Sequence, residues 1–170
     1  MAKLKGYEEL NKKLLNVFKP FGIKEVKFNK EFAWWRGTNT ITYDIEMSDI
    51  HGDWFEEFVK ERFNYKFENA FMLSVLHELG HFITDDEISD VVSTYCTEDK
   101  KRIEKSITFG MPEEEEKALN WQYFYLPDEF FATAWAVKYA QEHPKRVQKM
   151  WRKIEKAFHE FYRINEVTDD

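Results

Sequence analysis

The chain has 170 residues, of which 43% are hydrophobic and 18% aromatic, enough to build the core of one folded domain over residues 1–170. The formal net charge of −7 argues against a nucleic-acid-binding protein, and no apolar run approaches the roughly 20 residues that span a membrane. Cys96 is the only cysteine and the N-terminus lacks a signal-peptide pattern, so we expect no intramolecular disulfide and a soluble, cytoplasmic protein.

The first third of the chain predicts a helix followed by a small sheet. Apolar residues recur with helical spacing over residues 6–19, and Pro20 ends that pattern. Residues 23–32 and 40–47 alternate between apolar and polar side chains, which is typical of strands and predicts a small antiparallel sheet. Residues 53–63 return to helical spacing. The order is therefore a helix, a sheet and then further helices.

The segment 77–81 reads His-Glu-Leu-Gly-His, the H-E-x-x-H pattern of zinc metallopeptidases. On a helix, His77 and His81 lie one turn apart on the same face, so both imidazoles can bind one cation. Glu78 lies about 100° further round the helix, where it can accept a proton from a metal-activated water. The plainer alternative is a pair of hydrogen-bonded core histidines, but the glutamate between them favours the metal site.

The helix that carries this motif is predicted over residues 68–84, and it is apolar around most of its circumference. Such a helix belongs in a protein core. Gly80 lies between the two histidines, although glycine destabilises a helix interior by about 1 kcal/mol relative to alanine. Its position predicts that another backbone approaches the helix closely there.

The following segment is highly charged. Residues 86–107 predict a further helix, and the Gly-Met-Pro sequence at 110–112 is the strongest break in the chain. The four glutamates at 113–116 then favour the start of another helix, since acidic side chains stabilise a helix N-terminus. We interpret this acidic run as a solvated helix start and not as a ligand site.

A catalytic zinc needs a third protein ligand, and Glu129 is the leading candidate. It opens a helix predicted over residues 126–141, and Ala132, Ala136 and Ala140 follow it on one face. Small residues let two helices approach closely, so this face is suited to pack on the Gly80 side of the motif helix. Alternatively, Glu129 is a first-turn glutamate favoured by the helix dipole. The rival ligands are other acidic residues and two remote histidines: Asp85, Glu87, Asp128, His143 and His159.

The motif at 77–81, followed by Glu-Phe-Phe-Ala at 129–132 and a second alanine four residues later, resembles the small gluzincins. Among these it is most similar to the ImmA/IrrE-like metallopeptidase domains of bacteria, phages and mobile elements. The resemblance implies an α+β, mostly helical, zincin-like fold with the sheet ahead of the active-site helix. It also implies that the motif histidines and the downstream glutamate bind zinc and that the motif glutamate is the catalytic base: His77, His81, Glu129 and Glu78.

Two features depart from that family pattern. The distance in sequence from His81 to Glu129 is long (129 − 81 = 48), so we interpret residues 85–125 as an insertion, which could act as a lid. Thr133 stands where many gluzincins have an aspartate that orients a zinc-binding histidine. The sequence does not identify which other residue takes that part.

Three further interpretations concern substrate and partners. Zinc peptidases commonly hold substrate on a sheet edge, and residues 38–47 are the candidate strand, with an ordinary core hairpin as the equal alternative. One tyrosine could stabilise the oxyanion, with Tyr95, Tyr123 and Tyr125 as unranked candidates. The basic helix over 144–164 reads as a core helix with a solvated face, in preference to a surface for a membrane or an acidic partner.

The sequence thus predicts a zinc-dependent metallopeptidase that acts on a specific intracellular protein or peptide, with Glu78 as general base. A regulatory interaction protein that retains a zincin metal site is the main alternative, and hydrolysis of a non-peptide bond is a weaker one. No membrane or nucleic-acid partner is expected, and the sequence does not indicate an oligomeric state.

Overall fold

The structure is a computed structural model that describes residues 6–29, 33–35, 37–43 and 52–166. Its helices and small sheet confirm the predicted α+β, mostly helical fold class. Residue contacts divide the chain into two compact units, of which the first comprises Met1–Ser48 with Ala140–Asp170 and the second comprises Asp49–Tyr139. The single domain expected over residues 1–170 stays a prediction.

The first unit contains α1 (Tyr7–Phe18), α7 (Pro144–Glu166) and all three strands. Helix α1 packs against α7 and against β1, because each helix carries one apolar stripe that must leave water. The buried residues of these stripes are Leu10, Leu14, Val17 and Phe18 of α1, and Met150, Ile154, Ala157, Phe158 and Phe161 of α7. The basic residues of α7 lie outside this stripe, as the sequence predicts.

The sheet is mixed, which corrects the antiparallel prediction. Its strands are β1 (Glu25–Phe28), β2 (Ala33–Trp35) and β3 (Thr40–Tyr43), in the order β1-β3-β2. Strand β2 is antiparallel to β3, whereas β1 is parallel to β3. Alternation of side chains indicates that a segment is a strand but not the direction of its partner, so the sequence could not reveal the parallel pair.

The proposed substrate strand at 38–47 does not lie at a sheet edge over its described part. Strand β3 is paired on both sides, and all four of its residues are buried. Its backbone groups are therefore used within the sheet, which rules out strand addition along β3. The core-hairpin alternative is the correct one for residues 40–43, while residues 44–47 lie outside the described residues.

The second unit contains α2 (Gly52–Phe63), α3 (Ala70–Thr84), α4 (Asp90–Ser106), α5 (Glu113–Phe124) and most of α6 (Pro127–Glu142). Helix α3 is the predicted core helix, and every residue from 71 to 80 is buried. Asn69 caps it, since the side-chain oxygen accepts a hydrogen bond from the Met72 N–H at 3.1 Å. The predicted bounds of these helices differ from the structure by a few residues.

The segment interpreted as an insertion, 85–125, consists of a short 3-10 helix (Asp85–Glu87), α4 and α5. Helix α5 packs against both α2 and α4. Cys96 and Ile103 of α4 form a buried cluster with Leu126, so the segment contributes to the core of the second unit. A role as a lid stays a prediction. Among the helices that the structure describes, none combines the length and the apolar character needed to cross a membrane.

Candidate metal centre

The two motif histidines of α3 bring their Nε2 atoms close together. The Nε2 atoms of His77 and His81 are 3.0 Å apart, and their ring planes are nearly perpendicular at 81°. His77 is completely buried, whereas the His81 side chain retains 14% of its exposure. Phe55 of α2 lies edge-on to the His77 ring at 5.0 Å and thereby restricts its orientation. This is the geometry expected for two imidazoles one helical turn apart.

Helices α3 and α6 make backbone contact beside these histidines. A Cβ atom built on Gly80 would lie 2.4 Å from the carbonyl oxygen of Ala132 and 2.9 Å from its Cα. Ala132 and Ala136 are fully buried, and Ala140 is nearly so. The structure thus confirms both the close approach predicted at Gly80 and the burial of the alanine face of α6.

The close approach brings Glu129 to the histidines. Its Oε2 lies 3.0 Å from Nε2 of His77, and its Oε1 lies 3.4 Å from Nε2 of His81. The Glu129 side chain is only 3% exposed, so its carboxylate is directed inward. Among the candidates for a third ligand, Glu129 thus contacts both imidazoles. Its role as a ligand stays a prediction.

The other candidates for the third ligand make different contacts or lie in other elements of the structure. Asp128 accepts a hydrogen bond from the Glu129 N–H through Oδ1 at 2.9 Å and contacts Lys100 through Oδ2 at 2.6 Å. Asp85 and Glu87 lie in the 3-10 helix that follows α3. His143 and His159 belong to the first unit.

Thr133 itself is a hydrogen-bond partner of His77, which corrects the expectation that some other residue takes the part of the missing aspartate. Its Oγ1 donates to the Glu129 carbonyl oxygen at 2.8 Å and lies 3.1 Å from Nδ1 of His77. Because the hydroxyl proton is used on the carbonyl, Oγ1 accepts from the Nδ1–H of His77. This hydrogen bond keeps a proton on Nδ1 of His77, so that Nε2 is the nitrogen that would bind a metal. The available signal was the spacing of Thr133, one helical turn after Glu129.

Glu78 lies beside the two histidines, as its place in the helix predicts. It is 6% exposed, and one carboxylate oxygen lies with a nitrogen from each of His77 and His81 in a group spanning no more than 4.8 Å. Glu78 could therefore also be counted as a metal-binding group. Glu129 has its oxygens 3.0 and 3.4 Å from the same two nitrogens, and its selection as the third ligand stays a prediction.

Lys100 of α4 also reaches the site, which no pattern in the sequence indicates. Its Nζ contacts Oε1 of Glu129 and lies 2.6 Å from Oδ2 of Asp128. The side chain is 21% exposed, although residues 98–102 are all charged. Burial alone would lower the pKa of Lys100, but the charges of Glu129, Tyr123 and Asp128 and the hydrogen bond to Asp128 together raise that pKa. Lys100 is therefore a cation at the site.

The charges of the site are mutually stabilising. Burial alone would raise the pKa of Glu129, but the charge of His81, hydrogen bonds from both histidines and the charge of Lys100 hold that pKa well below its usual range. Burial likewise would lower the pKa of His81, but the carboxylates of Glu129 and Glu78 together raise that pKa. Glu129 is therefore ionised, as a metal ligand must be.

The structure distinguishes the three candidate tyrosines. Tyr95 is 61% exposed and Tyr125 is 47% exposed, with Tyr125 packed against Phe58. Tyr123 is half-buried, and its ring lies 5.5 Å from Nζ of Lys100. Burial and the charge of Glu129 raise the pKa of Tyr123. Tyr123 is thus the tyrosine beside the site, and its part in stabilising an oxyanion stays a prediction.

The donor set fits zinc. Two imidazole nitrogens and one carboxylate oxygen are the ligands of a known class of catalytic zinc sites, which keep a fourth position open. Tetrahedral zinc with bonds of about 2.0–2.1 Å holds its donor atoms roughly 3.3 Å apart. The separations of 3.0 and 3.4 Å among the His77, His81 and Glu129 atoms are close to that value.

Comparisons with protein-family models, with curated proteins and with solved structures found no match to this chain. The resemblance to ImmA/IrrE-like metallopeptidase domains therefore rests on the motifs at 77–81 and 129–132, and it stays a prediction.

Proposed function

We propose that this protein is a zinc-dependent metallopeptidase that hydrolyses peptide bonds, with a specific intracellular protein or peptide as its substrate. The observation that carries the proposal is the convergence of His77, His81 and Glu129 within 3.4 Å, with Glu78 beside them. Two imidazole nitrogens and a carboxylate oxygen at these separations are the ligand set of a class of catalytic zinc sites, and a glutamate next to the first histidine is the general base of such sites.

Each residue has a separate part in the proposed reaction. His77, His81 and Glu129 would hold the metal, and Thr133 would keep His77 in the tautomer that leaves Nε2 free. The bound zinc supplies a Lewis acid that lowers the pKa of water to about 7 and polarises a carbonyl. Glu78 would accept the proton of the attacking water and pass it to the leaving amine. Glu78 is only 6% exposed and lies beside the proposed metal position, as a group that accepts a proton from the attacking water must.

A second function is a regulatory interaction protein that retains the site without hydrolysis. It is favoured by Lys100, whose ammonium already pairs with the Glu129 carboxylate and so supplies a positive charge without any metal. In that reading the buried charges stabilise the second unit or a partner-bound state. The two functions differ in whether the purified protein takes up zinc and whether it cleaves peptides.

The decisive experiment compares wild type, Glu78→Gln and Glu87→Gln, measuring zinc content and cleavage of peptide libraries by mass spectrometry. Glu87 is an exposed carboxylate shortly after the motif helix, which makes it the matched control. We expect one zinc per chain in all three proteins and a loss of cleavage of about 100-fold or more in Glu78→Gln alone. Cleavage retained by Glu78→Gln rejects Glu78 as the base.

The remaining results distinguish the alternatives. A zinc-containing wild type that cleaves no library but binds one partner stably favours the regulatory protein. A wild type that takes up no zinc rejects the metal centre altogether.

We propose that the reaction takes place in the cytoplasm. The support is that Cys96, the single cysteine, is a free and fully buried thiol, which suits a reducing compartment. Expression with a fluorescent tag, followed by fractionation, tests this location; recovery outside the cytoplasm contradicts it.

A further inference from the structure

The two oxygens of the Glu129 carboxylate have different partners, because Lys100 contacts Oε1. Oε2 lies 3.0 Å from Nε2 of His77, whereas Oε1 contacts the Lys100 ammonium as well as lying 3.4 Å from His81. An oxygen that accepts a charge-assisted hydrogen bond has less electron density to give to a metal. The carboxylate is therefore set to offer Oε2 as its main ligand atom.

The ammonium is itself held in place by Asp128. Oδ2 of Asp128 accepts from Nζ of Lys100 at 2.6 Å, and Oδ1 accepts from the Glu129 N–H at 2.9 Å. Asp128 thus joins the Lys100 side chain to the first turn of α6, the same turn that carries the candidate ligand. Two neighbouring carboxylates share one ammonium, so the pair of acids keeps a single net negative charge instead of two.

We propose that Lys100 is a positioning residue of the metal centre, which restricts Glu129 to binding through one oxygen and weakens the attraction of the site for cations. This inference rests on the proposed metal centre. The weakening follows from Coulomb repulsion, because a fixed ammonium in contact with a ligand oxygen lies within a few ångströms of the metal position. The restriction keeps a coordination position open, which a carboxylate binding through both oxygens would occupy.

The matched control is Lys117 of α5. Its Nζ lies 2.6 Å from Oε1 of Glu57 and 5.1 Å from the centre of the Trp121 ring, and the side chain is 27% exposed. Lys100 has the same kind of surroundings, with a carboxylate at 2.6 Å, an aromatic ring at 5.5 Å and 21% exposure. Lys117→Met therefore removes a paired ammonium whose carboxylate partners, Glu57 and Glu61, lie outside the proposed metal centre, whereas Lys100→Met removes the ammonium that contacts Glu129.

The experiment uses the full chain with Lys100→Met, Lys100→Arg and Lys117→Met, loaded with Zn²⁺ or Co²⁺. One readout is the dissociation constant for Zn²⁺, measured by competition with a coloured chelator. The other is the visible absorption of the Co²⁺ protein, which reports the number and arrangement of ligand atoms. Thermal unfolding of the metal-free proteins shows whether each variant is folded, and Lys100→Gln replaces Lys100→Met if the latter is not.

We expect Lys100→Met to bind Zn²⁺ about tenfold or more tightly than wild type, since one positive charge has gone. Its Co²⁺ absorption should weaken as the second oxygen of Glu129 enters the coordination sphere. Lys100→Arg keeps the charge and should stay close to wild type in both readouts, as should Lys117→Met.

A Lys100→Met protein with the Zn²⁺ affinity and Co²⁺ spectrum of Lys117→Met overturns the proposal, even if both variants are less stable than wild type. That outcome leaves the metal centre standing. A wild type that binds neither ion rejects the metal centre, and the part assigned to Lys100 falls with it.

Discussion

Gly80 and Ala132 bring two helix backbones into contact, with the Ala132 carbonyl oxygen 2.4 Å from where a Cβ atom of Gly80 would stand. Ala132 lies three residues after Glu129 on the same face of α6. The contact therefore determines how far the Glu129 carboxylate reaches toward His77. A larger residue at either position would separate the helices and withdraw the carboxylate.

Replacing Gly80 with alanine should destabilise the protein. Alanine is ordinarily favoured over glycine within a helix by about 1 kcal/mol. Here the added methyl group meets a backbone oxygen that cannot move without shifting α6, so we expect a net loss of about 2 kcal/mol or more. Urea unfolding measures the change, and chelator competition should show weaker zinc binding. A Gly80→Ala protein more stable than wild type contradicts the close contact.

Removing the Thr133 hydroxyl should weaken metal binding while the core remains filled. Thr133→Val preserves volume but leaves His77 Nδ1 and the Glu129 carbonyl without this partner, at about 1–3 kcal/mol. We expect zinc affinity to fall about 10- to 100-fold, as when the partner of a metal-binding histidine is lost. Thr133→Ser retains the hydroxyl and should bind zinc nearly as wild type does. Equal affinity in both variants would show that the hydroxyl does not orient His77.

Zinc should raise the melting temperature of wild type, because a ligand that binds only the folded state stabilises it. At 100 times the dissociation constant the gain is about 2.7 kcal/mol, or several degrees for a chain of this size. His81→Ala should abolish the shift, whereas His159→Ala, an exposed histidine of α7, should keep it. Calorimetric scans with zinc and with a chelator give the comparison. A shift that survives in His81→Ala places the zinc elsewhere.

Tyr43→Phe should destabilise the first unit. The Tyr43 side chain is fully buried, and its hydroxyl donates to Oδ1 of Asn11 at 2.7 Å. Burial raises the pKa of Tyr43, so the hydroxyl stays protonated and remains a donor. We expect a loss of about 1 kcal/mol. A double-mutant cycle with Asn11→Ala should give a coupling energy of about 0.5 kcal/mol or more; additive effects would show that the bond contributes nothing.

The parts of the site that follow from local rules were predicted correctly in position. The spacing of His77 and His81 fixes their common face, and the alanine pattern after Glu129 indicates which side of α6 approaches Gly80. The structure places the Glu129 carboxylate 3.0 Å from His77, as that reasoning expects. Binding of a metal by these residues is a separate matter that the experiments above decide.

The parts that depend on tertiary packing could not be predicted. Lys100 lies in a run of charged residues, and only the tertiary structure brings its side chain from α4 to Glu129 of α6. Thr133 was set aside because an aspartate was expected there, although a hydroxyl can accept the same hydrogen bond. The parallel pairing of β1 with β3 is likewise absent from the strand pattern, since a strand of four residues reads the same for either direction.

Helix α6 touches the His77 ring at both of its nitrogens, through Glu129 at Nε2 and through Thr133 at Nδ1. These two residues lie one turn apart on the same helix. A displacement of α6 along α3 would therefore break both contacts together. A small slip would release the ring from both ends in a single event. We therefore expect the cation-binding site to form in a single step when α6 docks on α3, with no intermediate in which His77 keeps one of the two contacts.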